Sequence, residues 1–176
     1  MKKITVEEIM KLKPCSDYPE EKVKDLIGNG KTPLEILDLP ISKSDKFWLL
    51  LRSDYIPEKR LHLLACNFAQ EVAHMNSDPS VQAAIDAKRL WIDGKITDEE
   101  LKKASDAAWF TAVRAAPWSA AKAAAWVAAY AAADSTWAAR AAARAARAAA
   151  AAGAADIETK QIEMVKKVFI DMEVTK

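Results

Sequence analysis

The chain has 176 residues, a formal net charge of +1 at neutral pH, two cysteines and six tryptophans. This length suits one domain whose core is large enough to need neither disulfides nor a structural metal. The near-zero charge excludes a general electrostatic attraction to nucleic acid or to an anionic membrane, so any charge-based recognition has to be local.

Helix start and stop signals recur along the chain. Capping boxes, in which a hydroxyl and a carboxylate three residues later satisfy free N–H groups reciprocally, are predicted at Thr5 with Glu8 and at Thr97 with Glu100. Other helix starts and two glycine stops are predicted at Asp17, Thr32, Ser42, Asp78, Gly28 and Gly94. The resulting helices lie near 5–13, 18–27, 33–38, 43–53, 57–75, 79–92, 97–115, 118–152 and 156–173, and no strand is predicted.

These elements indicate an all-α fold, a single helical domain of about eight to nine helices spanning 1–176. Residues 1–103 form a conventional helical part rich in leucine. Residues 104–155 are more than half alanine and contain Trp and Arg, and a long alanine-rich helix near 118–152 is expected to pack against the leucine-rich part. Residues 156–176 form a C-terminal amphipathic helix that is expected to cover the alanine-rich helix.

Core positions are expected in both conventional segments. The large apolar residues of the first segment are Phe47, Trp48, Leu50, Leu51, Leu61, Leu64, Phe68 and Val72. The last helix carries on one side Ile157, Met164, Val165, Val168, Phe169 and Met172.

The alanine-rich tract keeps an unusual set of large side chains. At about 100° per residue, nearly all of them fall within one stripe about 120° wide on a continuous helix. Its members are Trp118, Lys122, Trp126, Tyr130, Trp137, Arg140, Arg144 and Arg147. Asp134, Ser135 and Thr136 could cap a new helix and break this alignment.

Two interpretations of the stripe stay open. In one, the aromatic rings face the core and the cationic side chains reach the rim by snorkelling. In the other, the stripe is a recognition surface, because Trp and Tyr provide large rigid areas while Arg grips carboxylates or phosphates and stacks on rings. The four cations outnumber the single Asp134, which favours recognition for the arginines.

The sequence provides little for catalysis or for a cofactor. It lacks a phosphate loop, a nucleophile elbow and an HExxH motif, so we predict no enzyme and no cofactor. His62, Cys66, Glu71 and His74 share one predicted helix, but their spacing is poor for a metal site. The charged start MKKITVEE and the two distant cysteines indicate a reducing cytoplasm, with both thiols acting as small buried hydrophobic groups.

Several segments resemble a known family. LKPCSDYPEEKV, the stretch from TPLEILDLP to CNFAQEV, and AIDAKRLWIDGKITDEELKKASDAAW followed by the Ala, Trp and Arg tract resemble alanine-rich proteins designated immunity proteins in bacteria and phages. The resemblance covers most of the chain in the same order. It implies neutralisation by binding and carries over no catalytic residues.

The leading prediction is therefore a non-enzymatic binder that occludes a toxin or a defence-system protein through the stripe. The alternative is a sponge for a nucleotide immune signal, a cyclic nucleotide or an ADP-ribose derivative, with rings stacking on bases and arginines holding phosphates. Binding of nucleic acid is disfavoured because only four cations cluster, and no membrane partner is expected. Homo-oligomerisation through the alanine-rich face is compatible with either function.

Overall fold

The computed structural model of the protein describes residues 1–115, Trp126, Ala129 and 155–174. The described residues form an all-α fold with eight helices, as predicted, and no strand. The helices are α1 Val6–Lys11, α2 Glu20–Ile27, α3 Pro33–Leu37, α4 Lys43–Leu50, α5 Glu58–Ala73, α6 Pro79–Ile92, α7 Asp98–Arg114 and α8 Ala155–Val174. Before α1, an isolated antiparallel bridge joins Ile4 to Lys31. Most of the helix predicted near 118–152 lies outside the described residues.

The predicted capping boxes are confirmed at the starts of α1 and α7. In each, the threonine side chain accepts a hydrogen bond from the backbone N–H of the glutamate, whose carboxylate accepts one in return. Thr32, Ser42 and Asp78 also cap helices as predicted, and Thr32 forms a further capping box with Glu35.

The start predicted at Asp17 is wrong. The N-cap of α2 is Pro19, which has no side chain able to accept a hydrogen bond. Asp17 lies inside a turn closed by the hydrogen bond from the backbone N–H of Tyr18 to the carbonyl of Cys15. In the described part of the chain, no side chain caps the start of α2.

Both predicted glycine stops have left-handed backbones. Gly28 has φ 56° directly after α2, and Gly94 has φ 69° one residue beyond the C-cap of α6. L-residues rarely adopt such angles, so glycine ends these helices at low cost.

The core lies between α5 and the helices around it. α6 packs against both α5 and α7, while α8 packs against α3 and α5. Of the predicted core residues in the first segment, only Trp48 is not fully buried, and Phe47 and Phe68 stack with ring centroids 5.8 Å apart.

Helix α8 is fastened to the leucine-rich part by polar contacts as well as by Val165 and Phe169, which are buried as predicted. Lys166 pairs with Asp38 of α3's C-cap at 3.1 Å, and the Lys43 ammonium donates to the buried Gln161 amide oxygen at 3.4 Å. Among the described residues, α8 therefore covers α3 and α5. The expectation that it covers the alanine-rich helix concerns residues outside the described part.

Candidate functional site

Helix α7 carries the residues that connect the leucine-rich part to the alanine-rich tract. Its buried face has the small residues Ala108 and Ala112, which are fully inaccessible to solvent. Small side chains let neighbouring backbones approach closely. On the same side of α7, the Ser105 hydroxyl donates to the carbonyl of Ala129 at 2.9 Å, so the tract contacts α7 here.

A pair of tryptophans extends this contact toward solvent. Trp109 of α7 and Trp126 of the tract meet edge to face, with ring centroids 4.2 Å apart and planes at 69°. Trp126 is half-buried at the edge of the core, whereas Trp109 remains 40% exposed. This geometry places the positive edge of one indole against the negative face of the other.

The exposed side of α7 continues from Trp109 into two further apolar residues. Phe110 is 62% exposed and Val113 is 54% exposed. We call Trp109, Phe110, Val113 and Trp126 the aromatic surface. Contiguous apolar groups at a protein surface often mark a binding site, while scattered single ones are ordinary.

Charged side chains occupy the same face of α7 toward its N-terminus. A shallow hollow of about 400 Å³ is lined there, among the described residues, by Glu99, Lys102, Lys103, Asp106, Ala107 and Phe110. The Lys102 ammonium lies 2.9 Å from the Asp106 carboxylate, and this hydrogen bond raises the pKa of Lys102. The hollow therefore combines an aromatic ring with charges of both signs.

The C-terminal half of α7 is held in place by the start of α6. The hydroxyls of Ser80 and Thr111 lie 2.8 Å apart, and the Arg114 guanidinium is 4.0 Å from Asp78. Hydrogen bonds donated by Ser80 lower the pKa of Asp78, with smaller contributions from Thr111 and Arg114. Asp78 therefore caps α6 and lies close to the end of α7.

Of the predicted stripe, the structure describes Trp126 alone, which is helical and half-buried. Its ring packs against the edge of the core and also borders the exposed aromatic surface, and both interpretations of the stripe stay open. The other seven predicted site residues lie outside the described part of the chain: Trp118, Lys122, Tyr130, Trp137, Arg140, Arg144 and Arg147.

Sequence reasoning missed the contribution of α7 to this surface. A signal was present, because Glu99, Lys103, Asp106 and Phe110 follow one helical face at spacings of three and four residues. That face is charged for two turns and then becomes apolar at Phe110 and Val113. The apolar end of this face is exposed to solvent among the described residues.

A second cluster missed from the sequence lies between α5 and α6. Lys88 is only 1% exposed, and its ammonium lies 4.1 Å from the centroid of the Trp91 ring, a favourable cation–π distance. The buried His62 ring meets Trp91 edge to face with centroids 5.1 Å apart. Lys88 follows the buried Ala84 and Ile85 at helical spacing, which was the available signal.

The two cysteines differ in environment. Cys66 is buried as predicted, and burial raises the pKa of its thiol to about 11. Cys15 is exposed, so the prediction of a second buried thiol is wrong. It lies in the turn before α2, where the next apolar side chain is Tyr18.

The described residues contain no group of three His, Cys, Asp or Glu side chains placed to hold a metal ion. In the same part of the chain, no helix has the combination of length and hydropathy needed to cross a bilayer. The chain matches no protein-family model, no curated protein and no solved structure.

Proposed function

We propose that the protein is a non-enzymatic binding protein of the immunity or anti-defence type, which neutralises a partner protein by covering part of it with the aromatic surface. The single observation that carries this proposal is the Trp109–Trp126 pair, which is continuous with the exposed Phe110 and Val113. The resemblance of the chain to alanine-rich immunity proteins supports neutralisation as the purpose of the binding.

The physical basis is the energetic weight of large rings at interfaces. Aromatic residues dominate binding hot spots because they desolvate a large area and lose little side-chain entropy. The edge-to-face contact with Trp126 limits the motion of Trp109 before any partner arrives. Less ordering is then required on binding, which leaves more of the interaction free energy for affinity.

The test compares two exposed apolar residues on different helices. Phe110→Asp alters the aromatic surface, whereas Ile170→Asp alters a residue on α8 that is 48% exposed. Each protein encoded by a gene adjacent to this one is titrated by calorimetry with the wild type and both variants. We expect one partner to bind the wild type and Ile170→Asp, and to bind Phe110→Asp at least about thirtyfold more weakly.

The proposal would be rejected if Phe110→Asp bound the partner as tightly as Ile170→Asp. It would also be rejected if none of the three proteins, the wild type included, bound any of the candidates. The stripe is tested by replacing Trp126 and Arg144 together with alanine. This double variant is expected to keep its helicity by circular dichroism and to lose protection of cells that co-express the partner. Unchanged protection would remove the stripe from the binding surface.

Sequestration of a nucleotide signal is the second candidate. The shallow, open hollow beside α7 brings Phe110 together with Lys102 and Lys103, an aromatic ring and two cations that could contact a base and phosphates. Glu99 and Asp106 line the same hollow and repel phosphates, which favours the protein partner. Thermal shifts with cyclic nucleotides and ADP-ribose derivatives, lost on Lys103→Ala, would support this second candidate instead.

A further inference from the structure

The exposed face of α7 has an arrangement of size and charge that is complementary to itself. Phe110 lies at its centre, with Ala107 three residues before it and Val113 three residues after it, and all three are exposed. Asp106 lies four residues before Phe110 and Arg114 four residues after it. Next to the ring, the face thus has a small residue and the Asp106 carboxylate on one side, with a larger residue and the Arg114 guanidinium on the other. Charges of both signs, Glu99, Lys102 and Lys103, lie further toward the N-terminus of α7.

A two-fold axis through Phe110, perpendicular to α7, brings a second copy of the helix antiparallel to the first. Each residue then faces the residue at the opposite offset from Phe110. Val113 faces Ala107 of the second copy, so a larger side chain meets a smaller one, as in knobs-into-holes packing. Asp106 faces Arg114 of the second copy, and both such pairs are attractive.

The groups that would form these pairs are accessible and only weakly engaged within one copy. The side chains of Asp106 and Arg114 are 53% and 73% exposed. Asp106 pairs with the exposed Lys102, and Arg114 lies at the 4.0 Å limit from Asp78. Exposed ion pairs contribute about 1 kcal/mol or less, so exchanging them for pairs between copies costs little.

We propose that the exposed face of α7 binds the same face of a second copy of this chain, antiparallel about a two-fold axis at Phe110. The centre of the contact is apolar and its rim is charged, which is the usual anatomy of a specific interface. Because α7 ends at Arg114, the two copies of the helix overlap about Phe110 only over residues 106–114, a length of about 13 Å. A contact limited to one helix per copy falls at the small end of interface sizes, so the dimer is weak and forms at micromolar or higher concentrations.

This inference goes beyond the proposed function and does not depend on it. Self-association is measured on the purified chain alone, whereas neutralisation is measured with a foreign partner. The dimer would cover Phe110 and Val113 until a tighter partner displaces the second copy. A monomeric chain that still binds a foreign protein would overturn the dimer and leave the proposed function intact.

Sedimentation velocity over a concentration series tests the dimer, with Cys15→Ser as the background to prevent linkage through the exposed thiol. The background protein and its Ile170→Lys control are expected to shift from monomer to dimer. Phe110→Lys is expected to weaken association at least about thirtyfold. A monomer at every concentration, or a Phe110→Lys variant that associates like the background protein, would overturn the proposal.

A charge exchange tests the antiparallel arrangement. Asp106→Arg and Arg114→Asp each replace two attractive pairs with two repulsive ones, so each variant alone is expected to weaken the dimer about fivefold or more. Combining the two restores attraction across the axis and is expected to recover the original affinity. A double variant that associates no better than the single ones would overturn the arrangement.

Cross-linking at high protein concentration locates the two-fold axis, because a disulfide traps even a weak association. In the Cys15→Ser background, Phe110→Cys places two thiols next to each other at the axis, and mild oxidation is expected to give a covalent dimer. Ile170→Cys on α8 is the control and is expected to remain monomeric. Equal cross-linking of both variants would contradict the proposed contact.

Discussion

Trp109 and Trp126 are joined edge to face at 4.2 Å, although they are 17 residues apart and only Trp109 belongs to α7. The contact joins α7 to a residue of the alanine-rich tract that follows it. We predict a coupling free energy of about 0.5 to 1.5 kcal/mol between the two rings. A double-mutant cycle with Trp109→Ala and Trp126→Ala, measured by urea unfolding, determines it. Strictly additive losses would mean that the two rings do not interact in solution.

The capping box of α7 makes stability depend on acidity. Hydrogen bonds from the Thr97 backbone N–H and hydroxyl to Glu100 lower the pKa of this carboxyl below its ordinary value of 4.5. The stabilisation is therefore complete above pH 4.5 and is lost as the pH falls through the folded-state pKa. Glu100→Gln keeps a side-chain acceptor without a charge.

We expect Glu100→Gln to lower the free energy of unfolding at neutral pH, and we expect the difference from the wild type to shrink below pH 4.5. Urea unfolding at neutral pH and below pH 4.5 measures the free energy of unfolding of the variant and of the wild type. Glu99→Gln, which alters the neighbouring carboxylate outside the capping box, is the matched control. If both variants showed the same pH dependence, the capping box would not be the cause.

The two thiols are expected to differ in reactivity. Cys15 is exposed, whereas burial holds the pKa of Cys66 at about 11 and blocks access to it. At neutral pH the buried group is almost entirely a thiol, and the thiolate is the reactive species. A colorimetric thiol reagent should therefore label one cysteine quickly in the native protein and the second only after unfolding. Rapid labelling of the Cys15→Ser variant would disprove this assignment.

Gln161 is a polar residue at a core position of α8. Its side chain is completely buried, and its amide nitrogen has no hydrogen-bond partner within the part of the chain that the structure describes. Removing a buried polar group that lacks a partner is favourable when the replacement has a similar volume. We predict that Gln161→Met raises the free energy of unfolding by about 1 kcal/mol, despite the loss of the long Lys43 bond.

Chemical denaturation of Gln161→Met measures this gain. Gln161→Ala is the control, because it removes the same amide but leaves a cavity and should destabilise the protein. Destabilisation by Gln161→Met to a similar extent would show that the amide contributes favourably to the core.

Helix positions were largely predictable because their determinants are local. The capping boxes of Thr5 with Glu8 and of Thr97 with Glu100 act within one helical turn. Gly28 and Gly94 are also local signals, because each ends a helix through its own backbone angles. The error at Asp17 is also local. A turn closed by Tyr18 and Cys15 precedes α2, and the helix has its N-cap two residues later, at Pro19.

The candidate site was only partly predictable. Trp126 was identified as a site residue, but its neighbour Trp109 was not, because the distance between two rings on different segments depends on packing. The burial of Lys88 and Gln161 was missed for a related reason. Helical spacing places each of them on an apolar face, but residue type alone argues for exposure.

The amino-acid sequence by itself determined the all-α class, the order of the described helices and most of their ends, since capping, glycine angles and apolar periodicity operate over a few residues. Only the tertiary structure decided which faces became surface. It placed Trp126 against Trp109, left Phe110 and Val113 in solvent, and separated an exposed Cys15 from a buried Cys66. Burial depends on which helices pack together, and that is set by contacts between residues far apart in the chain.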